Sequence, residues 1–242
     1  MLRFRPLWKF TAFMLLVFLS CVALGVWQLD RLQWKIRLIA QVDKNLHAAP
    51  VPVAEVLRMG APAAQYRRVS LAGHFDNSKE SYVFATDAAG KPVYHVITPF
   101  ILHDSGTLLV DRGVVPEQRR DPGTRAAGEL NGEQRLIGVW RVPDPPGWLT
   151  PAPDFAKRVW YSRDLNAIAK ASHLGLAAPV LIEADAKPNP GGWPRGGQTV
   201  TTFRNEHLQY AITWFGLAAV TFAGWISYHI AQGRLVWRSF RN

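Results

Sequence analysis

The chain has 242 residues, 48% of them hydrophobic, with 28 basic residues against 18 acidic ones and a formal net charge of +10. That length holds one or two domains with a buried core. The charge excess invites a nucleic-acid partner, but its distribution does not support one. Arg3, Arg5, Lys9, Arg234, Arg238 and Arg241 lie in two acid-free tails, and the remainder carries 22 basic and 18 acidic residues. No basic helix face interleaved with aromatics and no nucleic-acid fold motif is present. The one cysteine, Cys21, excludes an intramolecular disulfide and a cysteine-ligated cluster.

After the basic segment 1–9, residues 10–29 (FTAFMLLVFLSCVALGVWQL) form an uncharged run of the length a bilayer-spanning helix needs, roughly 20 residues. A cleaved signal peptide has a shorter apolar core ending at a small-residue site. Here the run continues to Trp27, so an uncleaved anchor is expected. Phe18-Leu19-Ser20-Cys21 loosely resembles a lipoprotein processing site, but the residues after Cys21 stay apolar. Leu32, Ile36, Ile39 and Val42 keep helical spacing, so the helix runs on or restarts until Pro50 and Pro52. Val53 to Leu57 forms a further turn of helix.

The stretch 30–206 reads as mainly β. Strands are expected over 66–75, 80–86, 93–102, 107–113, 133–142, 158–162 and 179–185, with a helix over 165–173 capped by Asp164. Asp111-Arg112-Gly113 reads as a strand-end ion pair followed by a turn glycine. The polar excursion 117–131, with Arg119, Arg120 and Arg125, reads as a solvated loop. No P-loop, dinucleotide fingerprint, nucleophile elbow or paired-histidine zinc motif occurs. His74, His95, His103 and His173 lack ligand spacing and are expected to be structural or exposed. Nothing assembles into a nucleophile, base and orienter, so no enzyme is expected.

The second apolar segment, 207–231, is followed by the basic tail 232–242. Asn205 is the expected N-cap, and His207, Gln209 and Tyr210 fall where the helix would meet a membrane surface. His207, Tyr210, Ala211 and Trp214, spaced three and four apart, share one helix face. His207 has two readings, an interfacial hydrogen-bonding residue or a ligand. Two crossings put both basic tails on one side, the cytoplasm by the positive-inside rule. The expected fold is therefore an α+β membrane protein: two transmembrane helices flanking an antiparallel β-rich, barrel- or sandwich-like extracytoplasmic domain.

Gly25-Val26-Trp27-Gln28 with Arg31, Trp34-Lys35 and Leu38-Ile39 resembles the opening of the SURF1 family of cytochrome oxidase assembly factors. Tyr66-Arg67-Arg68-Val69 through Gly73-His74-Phe75 is similar to the family's next block. His95 to Phe100 and Leu109 to Gly113 with Pro116 are similar to a third. Asn205 and His207-Leu208-Gln209-Tyr210-Ala211 with Thr213 to Gly216 are similar to the last. Glu206 departs from the pattern, which has a second asparagine there, and Val114 replaces an aromatic. The resemblance implies a bacterial inner-membrane protein with its main domain in the periplasm, supporting maturation of a haem–copper oxidase. It implies haem a as a transient cargo, with His207 at the iron, since imidazole is a common axial ligand. Gln209 would orient the imidazole, Tyr210 and Trp214 would line a haem face, and Arg204 or Arg112 would meet the propionates. The implied partners are the oxidase catalytic subunit, haem a synthase and membrane lipid. The alternative is a cofactor-free scaffold that stabilises an oxidase assembly intermediate; an anchored ectoenzyme is a third reading.

Overall fold

The computed structural model describes residues 2–59, 64–103, 105–201 and 203–237, with backbone alone at residues 2, 3, 236 and 237. The chain forms two compact units, Met1–Gln41 with Thr202–Asn242, and Val42–Thr201.

The first unit is built on two helices, α1 (Trp8–His47) and α4 (His207–Ala231). Both are long and apolar enough to cross a membrane. Of the two expected alternatives after Leu29 the helix runs on: α1 is continuous for 40 residues, and Arg31, Lys35 and Arg37 are charged positions within it. Its inward face repeats every three or four residues through Thr11, Met14, Phe18, Cys21, Gly25, Gln28 and Leu32. Ala211, Trp214, Ala218, Thr221, Trp225 and His229 form the matching stripe of α4. This is the 3.5-residue spacing of a coiled-coil seam. Gly25 has a specific reason to be glycine: a Cβ there would lie 2.8 Å from the Phe215 ring. The helices run antiparallel, for Thr11 accepts from the Trp225 indole N–H at 3.2 Å at one end, while Gln28 meets His207 at the other. At the Thr11 end His229 is fully buried. It accepts from Leu7 N–H at 3.3 Å and donates from Nδ1 to the Trp225 carbonyl at 2.8 Å, with the Phe4 and Phe10 rings against it. There β1 (Leu2–Phe4) and β10 (Leu235–Trp237) pair antiparallel, a pairing that the basic tails do not announce. On the outward faces Phe13, Leu16, Leu19, Ile212, Val220 and Phe222 remain exposed.

The second unit contains the strands β2 (Val51–Pro52), β3 (Arg68–Phe75), β4 (Ser81–Thr86), β5 (Pro92–Leu102), β6 (Thr107–Pro116), β7 (Gln134–Arg141), β8 (Val159–Trp160) and β9 (Leu176–Ala184). The strand order is β2-β3-β7-β9-β6-β5-β4-β8, and β3 also pairs with β5. That extra pairing closes β3, β7, β9, β6 and β5 into a ring. Arg68 to Gly73 bond β7, and Gly73 to Phe75 cross to β5. The barrel reading thus holds, but the sheet is mixed rather than antiparallel: β2–β3, β4–β8 and β6–β9 are parallel pairs. The parallel β6–β9 pair needs a long crossover, and the chain between them includes β7, β8 and the helix α3 (Leu165–Ala171). Asp164 accepts from Ala167 N–H at 3.0 Å as the expected cap.

Val69, Leu71, Phe100, Leu108, Val110, Trp140, Val180 and Ile182 fill one core, against which Val53 and Val56 of α2 (Val53–Met59) pack. Alternate residues of β6 and β9, Leu109 and Leu181, face the other way and meet Leu165 and Ile168 of α3. Because β6 is covered on both faces, its apolar run is nearly continuous.

Candidate functional site

The end of the two-helix unit holds the candidate ligand. His207 is the first residue of α4, and Glu206, not Asn205, stands at the N-cap position without a side-chain capping bond. Asn205 is instead half-buried, and its Oδ1 has no partner among the described residues. His207 is half-buried, and its Nδ1–H donates to Gln28 Oε1 at 2.8 Å. An acceptor on Nδ1 places the ring proton there and leaves the lone pair on Nε2, for which no partner occurs among the described residues. This is the usual condition of a metal-ligating imidazole: one nitrogen held by a hydrogen bond, the other open.

The other expected site residues divide. Trp214 is half-buried on the α1-facing stripe, two turns below His207, with Ala211 between them. Tyr210 is 51% exposed, so it points off that stripe, and Gln209 is exposed as well. The polar partner of the imidazole is therefore Gln28, not Gln209. Arg204 is exposed and pairs with Glu206 at 2.5 Å, which leaves the carboxylate of Glu206 engaged beside His207. Lys35 lies 5.4 Å from the Phe203 ring centre, adding a second cation to this end of the unit. Gln28 carried a signal that periodicity did not weigh. It is a polar amide at the end of an apolar span, on the helix's inner face, where an unsatisfied amide is costly.

Arg112 does not belong to this group. It is 2% exposed in the barrel unit, on the same side of β6 as Leu108 and Val110. Its guanidinium lies 3.4 Å from Glu80, 3.3 Å from Asn77 Oδ1 and against the Gly128 carbonyl, with the Phe75 ring 4.6 Å away. Its guanidinium is thus engaged with Glu80, Asn77 and Gly128 inside the barrel unit. The solvated-loop reading of 117–131 holds for exposed Arg119 but not for Arg125. Arg125 is 5% exposed, pairs with Glu80 at 2.5 Å and with Glu129, and also donates to the Arg119 carbonyl. Tyr82 and Thr98 donate to the same carboxylate at 3.1 and 3.3 Å. Burial, reinforced by Glu80, pushes the Tyr82 hydroxyl far up from its ordinary value, so it stays protonated and donates. For Arg125 the loss of hydration is outweighed by Glu80 and Glu129, and its pKa rises.

Asp111 and Arg112 do not pair with each other, because neighbours on a strand face opposite sides. Asp111 accepts from His95 Nδ1 at 2.8 Å, from Arg163 at 3.4 Å and from Gly113 N–H at 2.9 Å. Burial opposes its ionisation, but these three donors outweigh it and hold the carboxyl below the usual range. His95 is therefore structural, as expected. No cluster of three or more metal-binding side chains occurs among the described residues.

Comparison with known proteins identifies the family. The family model described as "SURF1 family" matches residues 15–219, from within α1 to the middle of α4. The chain is 38% identical to Surfeit locus protein 1 of Mus musculus, over 88% of this chain and 73% of that one. It is 39% identical to the protein of that name from Gallus gallus, over 88% and 72%. To the Takifugu rubripes protein it is 36% identical over 91% of this chain and 97% of that one. On these matches the chain belongs to the SURF1 family.

Proposed function

We propose that this chain is a membrane-bound assembly factor for a haem–copper oxidase, holding haem a through His207 and passing it to the catalytic subunit. The observation that carries the reading is the His207 imidazole, fixed at Nδ1 by Gln28 and open at Nε2. Haem a is cargo here, and what it supplies is an iron able to take an axial imidazole. The chain's residues do the rest. Gln28 orients the ring, half-buried Trp214 gives an apolar surface two turns away, and exposed Arg204 and half-buried Lys35 supply cations for carboxylates. A site at a helix end, with one protein ligand and mostly exposed neighbours, suits a cargo that must leave.

The exposed Phe13, Leu16, Leu19, Val220 and Phe222 suit lipid rather than water, which supports two membrane crossings; the inner membrane and a periplasmic β-rich unit follow from the basic tails on the positive-inside rule. Reporter fusions check the topology. A fusion after Asn242 should be active only in the cytoplasm and one near Gly128 only outside; a C-terminal fusion active in the periplasm would overturn the two-crossing arrangement.

Function is tested in a host deleted for its own family member. The chain should restore the a-type absorption of the membranes, and His207→Ala, at equal abundance, should restore less than about a tenth of it, in line with losing the single protein ligand to the iron. Full restoration by His207→Ala would favour the cofactor-free scaffold.

A further inference from the structure

Within α1, Gln28 breaks the pattern of its own face. The residues above it on the seam, Phe18, Cys21 and Gly25, are apolar or small, and Gln28 itself is only 9% exposed. Burying a primary amide without a partner is unfavourable, so the position needs a reason. Its reason is on the other helix: Gln28 Oε1 accepts the His207 Nδ1 proton at 2.8 Å. Packing leaves the pair little freedom. Gly25, one turn before Gln28, brings α1 against the Phe215 ring, and Ala211, one turn after His207, is 1% exposed. With the helices held this close, the amide can fix both the rotation of the imidazole and the nitrogen that carries the proton. A histidine in the other tautomer would present an N–H where a metal needs a lone pair.

We propose that Gln28 is the positioning residue of the ligand site: it holds His207 as the Nδ1–H tautomer, with the Nε2 lone pair kept open for the iron. The inference rests on the reading of His207 as the haem ligand, yet the tautomer is a property of the chain alone and can be measured without haem.

The test uses the full-length chain in detergent, labelled with nitrogen-15 at histidine, and reads the His207 ring nitrogens by NMR at alkaline pH without haem. The wild type should show the Nδ1–H form. Gln28→Leu keeps the bulk but removes the acceptor and should lose that signature; Gln28→Glu restores an acceptor and should keep it. The same proteins are then titrated with ferric protoporphyrin IX. Gln28→Leu should bind about 10- to 100-fold more weakly, the usual effect of losing a partner behind a ligating histidine. Gln28→Glu should bind like the wild type, with a lower midpoint potential because a carboxylate makes the imidazole a stronger donor. An Nε2–H signature in the wild type, or unchanged ring signals in Gln28→Leu, overturns the proposal. If the ring signals follow Gln28 as expected while the wild type fails to bind the porphyrin, the ligand reading of His207 fails and the Gln28–His207 coupling stands.

Discussion

Gly113→Glu is expected to leave no folded barrel. Gly113 lies within β6, not in a turn after it, at φ +113, a conformation that only glycine adopts readily. The need for glycine is stronger than conformation alone. Val114 exchanges backbone hydrogen bonds with Arg195, at 2.9 and 3.0 Å, and a Cβ on Gly113 would sit 1.9 Å from the Arg195 carbonyl oxygen. Neither backbone can retreat without breaking that bridge or the β6–β9 pairing. The same residue donates its N–H to Asp111, so a shift would also loosen the His95 and Arg163 contacts. Clash, backbone strain and a buried charge together exceed the roughly 5–15 kcal/mol by which a domain is stable. Gly113→Ala should fail for the same steric reason, which separates sterics from charge. Normal accumulation of Gly113→Glu, with the protease resistance of the wild type, would show that the close approach is not needed for folding.

The second large effect is expected from the carboxylate at the centre of the barrel's ion cluster. Glu80, 3% exposed, faces both Arg112 and Arg125, and takes hydrogen bonds from Tyr82 and Thr98 as well. Glu80→Ala leaves two buried guanidinium groups with one carboxylate, Glu129, between them. Stranding a buried charge typically costs about 3–5 kcal/mol, and here two are affected. Thermal unfolding of the purified chain should show the barrel transition falling by more than 10 °C, since about 1 kcal/mol shifts a domain of this size by a few degrees. Glu80→Ala combined with Arg125→Met should be less damaging than the sum of the two single changes, because one buried charge of each sign is removed. A Glu80→Ala melting point within a degree or two of the wild type would mean that water reaches the cluster and screens it.

Much of this architecture was legible from periodicity. Alternation in β3, β4, β5 and β7, and the Asp164 cap before α3, place those elements to within a few residues because each segment's burial is decided locally. What was not legible depends on pairings distant in sequence. The parallel β6–β9 pair and the β3–β5 closure arise from strands far apart, and no local pattern encodes which edges meet. Gly113 looked like a turn because a positive-φ glycine usually is one; it lies mid-strand because Arg195, far along the chain, comes up against it. Arg125 looked solvated because its neighbours in sequence are polar, while its partner, Glu80, lies 45 positions earlier. At the candidate site the position of His207 at the start of α4 is visible in the sequence. Its contact with Gln28 is not, since neighbours on one helix can be read from spacing and a contact between two helices cannot.

His229 shows the same limit. Sequence spacing alone makes it a convenient distant comparison for His207, yet it is fully buried and bonded to Leu7, Thr11 and Trp225, so removing it would disturb the helix pair. Exposed His103, paired among the described residues with Glu133 at 2.7 Å, is the sounder comparison. His207→Ala itself removes the Gln28 hydrogen bond, a loss of about 1–3 kcal/mol that the rest of the helix seam can absorb.

The central claim is best tested by the amount of haem a per protein, read from the absorption spectrum of the chain purified from a host that makes haem a. Wild type and His103→Ala should carry it, and His207→Ala should lose most of it while remaining in the membrane at normal abundance. Equal haem a in wild type and His207→Ala would contradict the ligand assignment, whatever happened to oxidase activity.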